Sequence, residues 1–112
     1  DLKTTTAVDD DHLRKSVRDF GYDRQEDWYR RGYRAVHGIE VDFWFVFVTK
    51  TQPHLVRSAP VEDDLRAEAR ELNDSALDVW RECLRTGSWP AYPPTATIGA
   101  PRWARTREDL SL

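Results

Sequence analysis

The chain begins DLKTT, and residues two apart on an extended strand point to the same face, so Asp1 and Lys3 are expected to present a carboxylate and an ammonium side by side. Phosphodiester hydrolysis uses such a pair. The carboxylate holds a hard divalent cation through oxygen, and the cation lowers the pKa of bound water. The ammonium orients the attacking water or stabilises the developing negative charge. Taken alone, D-x-K is a common triplet and carries little weight. A second group lies in YDRQEDWY, residues 22–29. Gln25 and Tyr29 are four apart, so on a helix both face one way. A glutamine amide can bond a metal-bound water or a phosphate oxygen, and a tyrosine can stack on a base or donate to a phosphate. Without the first group, Tyr29 in the core and Gln25 on the surface would explain the same spacing.

The elements that must position these residues follow from patterning. Residues 1–3 read as a strand end running into a threonine-rich loop. Asp9 or Asp10 can cap a helix over 10–20 with Leu13, Val17 and Phe20 at helical spacing, and Gly21 breaks it. A second helix is expected from Asp23 to His37 with Gly38 as its stop. Trp28, Gly32, Ala35 and Val36 form one face of it, with Gly32 permitting close approach of a neighbour. Val41 to Lys50 reads as a central strand covered on both faces. A turn then leads to a weaker strand over 54–59, its hairpin partner. A long helix from Glu62 to Arg85 carries an apolar stripe of Leu65, Ala69, Leu72, Ala76, Val79, Trp80 and Cys83. The proline-rich end is expected to be a covering segment pinned by Trp89, Tyr92 and Trp103.

In order and spacing these segments resemble the RecB-like PD-(D/E)XK nucleases, and most closely the C-terminal nuclease domain of the RecE (exonuclease VIII) kind. The resemblance rests on DLKTTTAV with the Ser16 helix behind it, GYDRQEDWYRRGY, the aromatic strand FWFVFV, RECLRTGSWPAY and the PRWA close at Pro101 to Ala104. It implies an α/β fold, a mixed sheet flanked by helices, here an incomplete C-terminal portion over 1–105 followed by a tail at 106–112. Asp1 then matches the metal-binding acid, Lys3 the catalytic lysine, and the Leu2 carbonyl a backbone metal ligand. Gln25 and Tyr29 match the Q-x-x-x-Y pair near the DNA end. Thr4, Thr5, Ser16 and Tyr22, in the matching segments, are expected to line the site. The family's upstream aspartate and helix residue would precede Asp1. The resemblance further implies Mg²⁺ (or Mn²⁺), 5′-to-3′ degradation of double-stranded DNA ends leaving 3′ single strands for recombination, a single-strand annealing partner of the RecT kind and a homo-oligomer. Another RecB-like nuclease in repair, and a non-catalytic DNA-binding or structural remnant, are the alternative readings.

Arg14, Lys15 and Arg18 on the first helix, and Arg30, Arg31 and Arg34 on the second, can contact the DNA backbone or form a solvated face with ion pairs four residues apart. Arg102, Arg105 and Arg107 form a weaker third group. His12, His37 and His54 lack metal-ligand spacing, and Asp9 to Asp11 lack the glycine and distal glutamate of a calcium loop. A net charge of −3 excludes a basic nucleic-acid arm but not a local basic face. The single cysteine excludes an internal disulfide and a four-cysteine zinc site, which fits a reducing cytoplasm. No apolar run approaches the roughly 20 residues that span a bilayer, and no signal peptide is evident. The five tryptophans are expected as core or interface anchors.

Overall fold

The computed structural model describes residues 1–104. The tail expected at 106–112, and Arg105 and Arg107, lie outside the described residues. The elements run β1 (Leu2–Thr5), α1 (Asp10–Phe20), α2 (Tyr22–His37), β2 (Phe45–Thr49), β3 (Val56–Ala59) and α3 (Asp63–Thr86). The chain divides into two compact units, Asp1–Glu82 and a second beginning at Cys83. The residues of the expected site all belong to the first.

Local chemistry explains where each helix starts and stops. Asp9 is the N-cap of α1, its carboxylate accepting from the His12 N–H at 3.1 Å. Gly21 is both the C-cap of α1 and the N-cap of α2, at φ +66°. That left-handed conformation suits glycine, and a Cβ at this position would lie 2.7 Å from the Arg24 guanidinium. The Gly21 carbonyl accepts the Gln25 N–H at 3.0 Å, so this junction sets the direction in which α2 leaves. Gly38, at φ +71°, closes α2.

The strands form one sheet in the order β1-β2-β3, β1 parallel and β3 antiparallel to β2. In the parallel ladder Leu2 stands beside Val46, Lys3 beside Phe47 and Thr5 beside Thr49. Asp1, Lys3 and Thr5 therefore share a face with Phe45, Phe47 and Thr49. That face carries the core. Phe45 and Phe47 are each 1% exposed and pack with Leu13 and Val61, while Val17, Tyr22, Phe43 and Leu65 close around them.

The opposite face is covered less than the apolar run suggests. Val46 and Val48 are half-buried, and Leu2, Trp44 and Val56 are exposed. β2 also begins at Phe45 rather than Val41, because pairing runs out there: its β3 partner ends at Ala59 and β1 begins beside Val46. Three further expectations are corrected. The Trp28, Gly32, Ala35 and Val36 face of α2 is exposed, and a Cβ on Gly32 would meet nothing within 4 Å. Along α3, Ala69 and Cys83 are buried but Leu72, Val79 and Trp80 are not. None of the five tryptophans is buried, and Tyr92, expected as a pin, is 98% exposed.

Candidate active site

The first three residues are placed by backbone pairing. The Asp1 carbonyl accepts the Val46 N–H at 2.8 Å, the Asp1 nitrogen donates to the Trp44 carbonyl at 2.8 Å, and the Thr5 carbonyl accepts the Lys50 N–H at 3.0 Å. Because strand carbonyls alternate in direction, those of Asp1 and Thr5 aim at β2, and those of Leu2 and Thr4 aim at the open edge of β1. On the core-facing side, the Lys3 ammonium lies 3.1 Å from the Asp1 carboxylate and 4.3 Å from the centre of the Tyr22 ring. Lys3 is thus held from two sides, by an opposite charge and by a cation–π contact.

Tyr22 connects this pair to α2. Its ring packs on Phe45 and Phe47, with centroids 5.7 and 6.4 Å apart. Two helical turns further on, Tyr29 packs on Phe43 at 6.1 Å. Gln25 lies between these two anchors on the same stripe, on the same side of the sheet as Lys3. Its amide nitrogen bonds the Tyr29 hydroxyl at 3.0 Å. Its amide oxygen is buried and has no protein partner among the described residues. A buried acceptor left unbonded costs about 1–3 kcal/mol, so an oxygen held this way by its neighbours suits a donor brought by a ligand.

The lining residues separate into two groups. Thr4, Thr5, Lys15, Ser16 and Tyr22 border one cleft of about 410 Å³ at the end of β1. Within it the buried Thr5 hydroxyl is already used, donating to the Ala7 carbonyl at 2.9 Å. Lys15 pairs with Asp19 at 2.5 Å, and Arg14 with Asp11 at 3.2 Å on exposed surface. Arg18 is exposed in the last turn of α1.

Arg30, Arg31 and Arg34 stand on another face of α2, away from Gln25. Two of them are committed to buried carboxylates. Glu26, fully buried, takes Arg30 at 2.5 Å and Arg66 of α3 at 3.1 Å. Asp27, 3% exposed, accepts from Asn73 of α3 at 2.9 Å, and Arg31 reaches Asp27 at 2.8 Å and Asp74 at 2.7 Å. The Arg31 Nε is close to Asp27 but off the hydrogen-bond direction, so that contact is mainly charge–charge. Burial works against the Arg31 charge, yet the hydrogen bond to Asp74 and the charges of Asp27 and Asp74 hold its pKa above the ordinary value. The spacing of four that suggested solvated ion pairs is present, but the carboxylates are inside. Arg30 neutralises Glu26 within α2, while Arg31–Asp74, Glu26–Arg66 and Asp27–Asn73 fasten α2 to α3. Arg34 pairs with Glu40 at 3.2 Å in the open. The E-x-x-x-R and D-x-x-x-R steps were visible in sequence; that their acids are buried was not.

The donor set for a divalent cation is partial. Among the described residues no three His, Cys, Asp or Glu side chains cluster as a metal site. What is present is one carboxylate, Asp1, one edge-facing carbonyl, Leu2, and the unpartnered Gln25 oxygen. This is oxygen-only chemistry of the kind Mg²⁺ prefers, short of a second carboxylate.

The sequence profile of a family described as PDDEXK-like domain of unknown function (DUF3799) matches residues 1–98. The chain belongs to that family. Nothing matches among curated proteins. Among solved structures, the PDDEXK-like chain is similar to a protein from Eubacterium rectale described as a "putative exonuclease", with a TM-score of 0.63 at 20% identity. The match covers 90% of this chain and 43% of that structure. At this identity the likeness concerns the fold, which agrees with the mixed sheet flanked by helices. Among the described residues of the PDDEXK-like chain, no helix is long and apolar enough to cross a membrane.

Proposed function

We propose that this PDDEXK-like domain is part of a divalent-metal-dependent deoxyribonuclease, an exonuclease of the RecE kind that degrades double-stranded DNA from 5′ ends. The observation that supports the reading is the Asp1–Lys3 pair resting on the Tyr22 ring, with Gln25 one turn further along α2 and bonded to Tyr29. Asp1 and the Leu2 carbonyl would hold Mg²⁺ (or Mn²⁺), which supplies an activated water and neutralises phosphate charge. Lys3, already oriented by Asp1 and Tyr22, stabilises negative charge as the phosphorus–oxygen bond breaks. The free Gln25 amide oxygen would accept from a water on the helix side. The second carboxylate of the metal site is proposed to come from a segment N-terminal to this one. Release of 3′ single strands for recombination, a RecT-like annealing partner, a homo-oligomer and a cytoplasmic location are proposed on the sequence resemblance alone.

The test is cleavage of end-labelled linear duplex in Mg²⁺ by a protein carrying this domain together with its upstream acidic motif. Lys3→Ala is expected to slow cleavage by about 10²–10³-fold, the usual cost of removing one transition-state donor. Cleavage unchanged by Lys3→Ala removes the assignment.

A further inference from the structure

The cleft at the end of β1 contains more than the sequence segments suggested. β1 and β2 are parallel, so the carboxyl ends of both strands meet there, the position where open α/β sheets receive ligands. Lys50, which follows β2, borders the cleft, and its backbone is pinned to the Thr5 carbonyl at 3.0 Å. Two lysines and one carboxylate line it. Asp19 is matched by Lys15 at 2.5 Å, whereas Lys50 has no carboxylate partner among the described residues. One uncompensated positive charge therefore faces the cleft, beside the hydroxyls of Ser16 and Thr6. Thr6 is steadied by the His12 ring at 3.3 Å.

The rim adds a flat surface. Phe20 is 70% exposed, yet its ring stacks on Tyr22 with centroids 5.5 Å apart and planes 28° from parallel. Tyr22 is the residue on which the Lys3 ammonium rests. An aromatic stacked on one face and open on the other, one ring away from Lys3, can serve as a stacking platform for a base.

We infer that this cleft is a nucleotide subsite beside the scissile position, taking a strand phosphate through Lys50, Thr6 and Ser16 and stacking the attached base on Phe20. A volume of about 410 Å³ suits one nucleotide. The identity of the ligand as a DNA strand rests on the nuclease reading above; the phosphate and stacking chemistry rests on the cleft itself. Lys50 and Phe20 are binding residues here, with no part in bond breaking.

The experiment titrates the chain, without metal, with tetrathymidylate and separately with inorganic phosphate, following backbone amide NMR signals of Thr6, Ser16, Phe20 and Lys50. Tetrathymidylate is expected to shift these signals, and inorganic phosphate at the same concentration to shift them far less. Lys50→Ala and Phe20→Ser should each weaken the oligonucleotide by roughly 5- to 100-fold, the range for losing a base stack or a comparable contact. Arg81→Ala, at an exposed α3 residue paired with Asp78 and outside the cleft, should bind as the parent does. Retained amide dispersion in each variant shows that the fold is intact. Equal response to inorganic phosphate, shifts elsewhere only, or unchanged affinity in both cleft variants overturns the subsite. Because cleavage is not read, that failure leaves the Lys3→Ala test standing, and failure of the Lys3→Ala test leaves a positive titration intact.

Discussion

α2 carries two polar stripes that the structure treats in opposite ways. On one, Glu26 and Asp27 are deeply buried, and both are matched by partners on α2 and α3. On the other, Gln25 has a bonded nitrogen and a buried oxygen with no protein partner. The first stripe is a joint: its charges can be inside because each is neutralised. The second runs between Tyr22 and Tyr29, with a buried acceptor that no protein donor satisfies. Buried polarity alone therefore does not mark the site. The distinction is whether the protein itself satisfies the group.

Substitutions on the two stripes should break differently. Glu26→Ala leaves Arg30 and Arg66 without their shared acid and should lower stability by about 3 kcal/mol in urea unfolding, toward the low end for a broken buried pair because both arginines are partly exposed. A loss under about 1 kcal/mol would make the joint dispensable. Gly21→Ala forces a side chain into left-handed backbone at the point from which both stripes are aimed, and should cost about 1–2 kcal/mol. Gln25→Ala removes an unsatisfied acceptor, so stability should change by less than about 1 kcal/mol while cleavage falls. If its melting temperature drops as far as that of Glu26→Ala, the second stripe is structural too.

The smallest effect concerns pH. Arg57, hydrogen-bonded and charge-paired to Asp10 at 2.5 Å, holds that carboxyl below its ordinary range. The depressed pKa adds stability that is fully present above the ordinary value of 3.8 and is lost as the pH falls through the lower folded value. Asp10→Asn should remove this acid-side slope by taking the small contribution away near neutrality, so that variant and parent converge in stability only at low pH. An undiminished slope in the variant would assign it to other carboxylates.

Much of this arrangement was legible beforehand, because its signals are local. Asp9, Gly21 and Gly38 punctuate the helices chemically, and the observed limits of α1 and α2 lie within a residue of those expected. The two-residue step of Asp1 and Lys3 and the four-residue step of Gln25 and Tyr29 carry over directly into side chains that meet. Coverage was not legible. Periodicity identifies Trp28, Val36, Leu72 and Val79 as apolar stripes, but whether another element lies against a stripe is a property of the whole chain's packing. The same holds for Glu26 and Asp27, whose burial depends on Arg66 and Asn73, about forty residues further along. Lys50 escaped notice because it sits in a turn with no motif around it, and only the parallel pairing of β1 with β2 brings it to the cleft.

Lys3 and Gln25 are proposed to act at the same reacting phosphate. A double-mutant cycle on duplex cleavage measures this directly, comparing Lys3→Ala, Gln25→Ala and the combined variant in a protein that carries this domain with the proposed upstream carboxylate. The losses are predicted to be non-additive, with a coupling of about 0.5–3 kcal/mol in kcat/KM, as for residues that share one site. Strictly additive losses would contradict the account, because they would mean that the two side chains serve separate places.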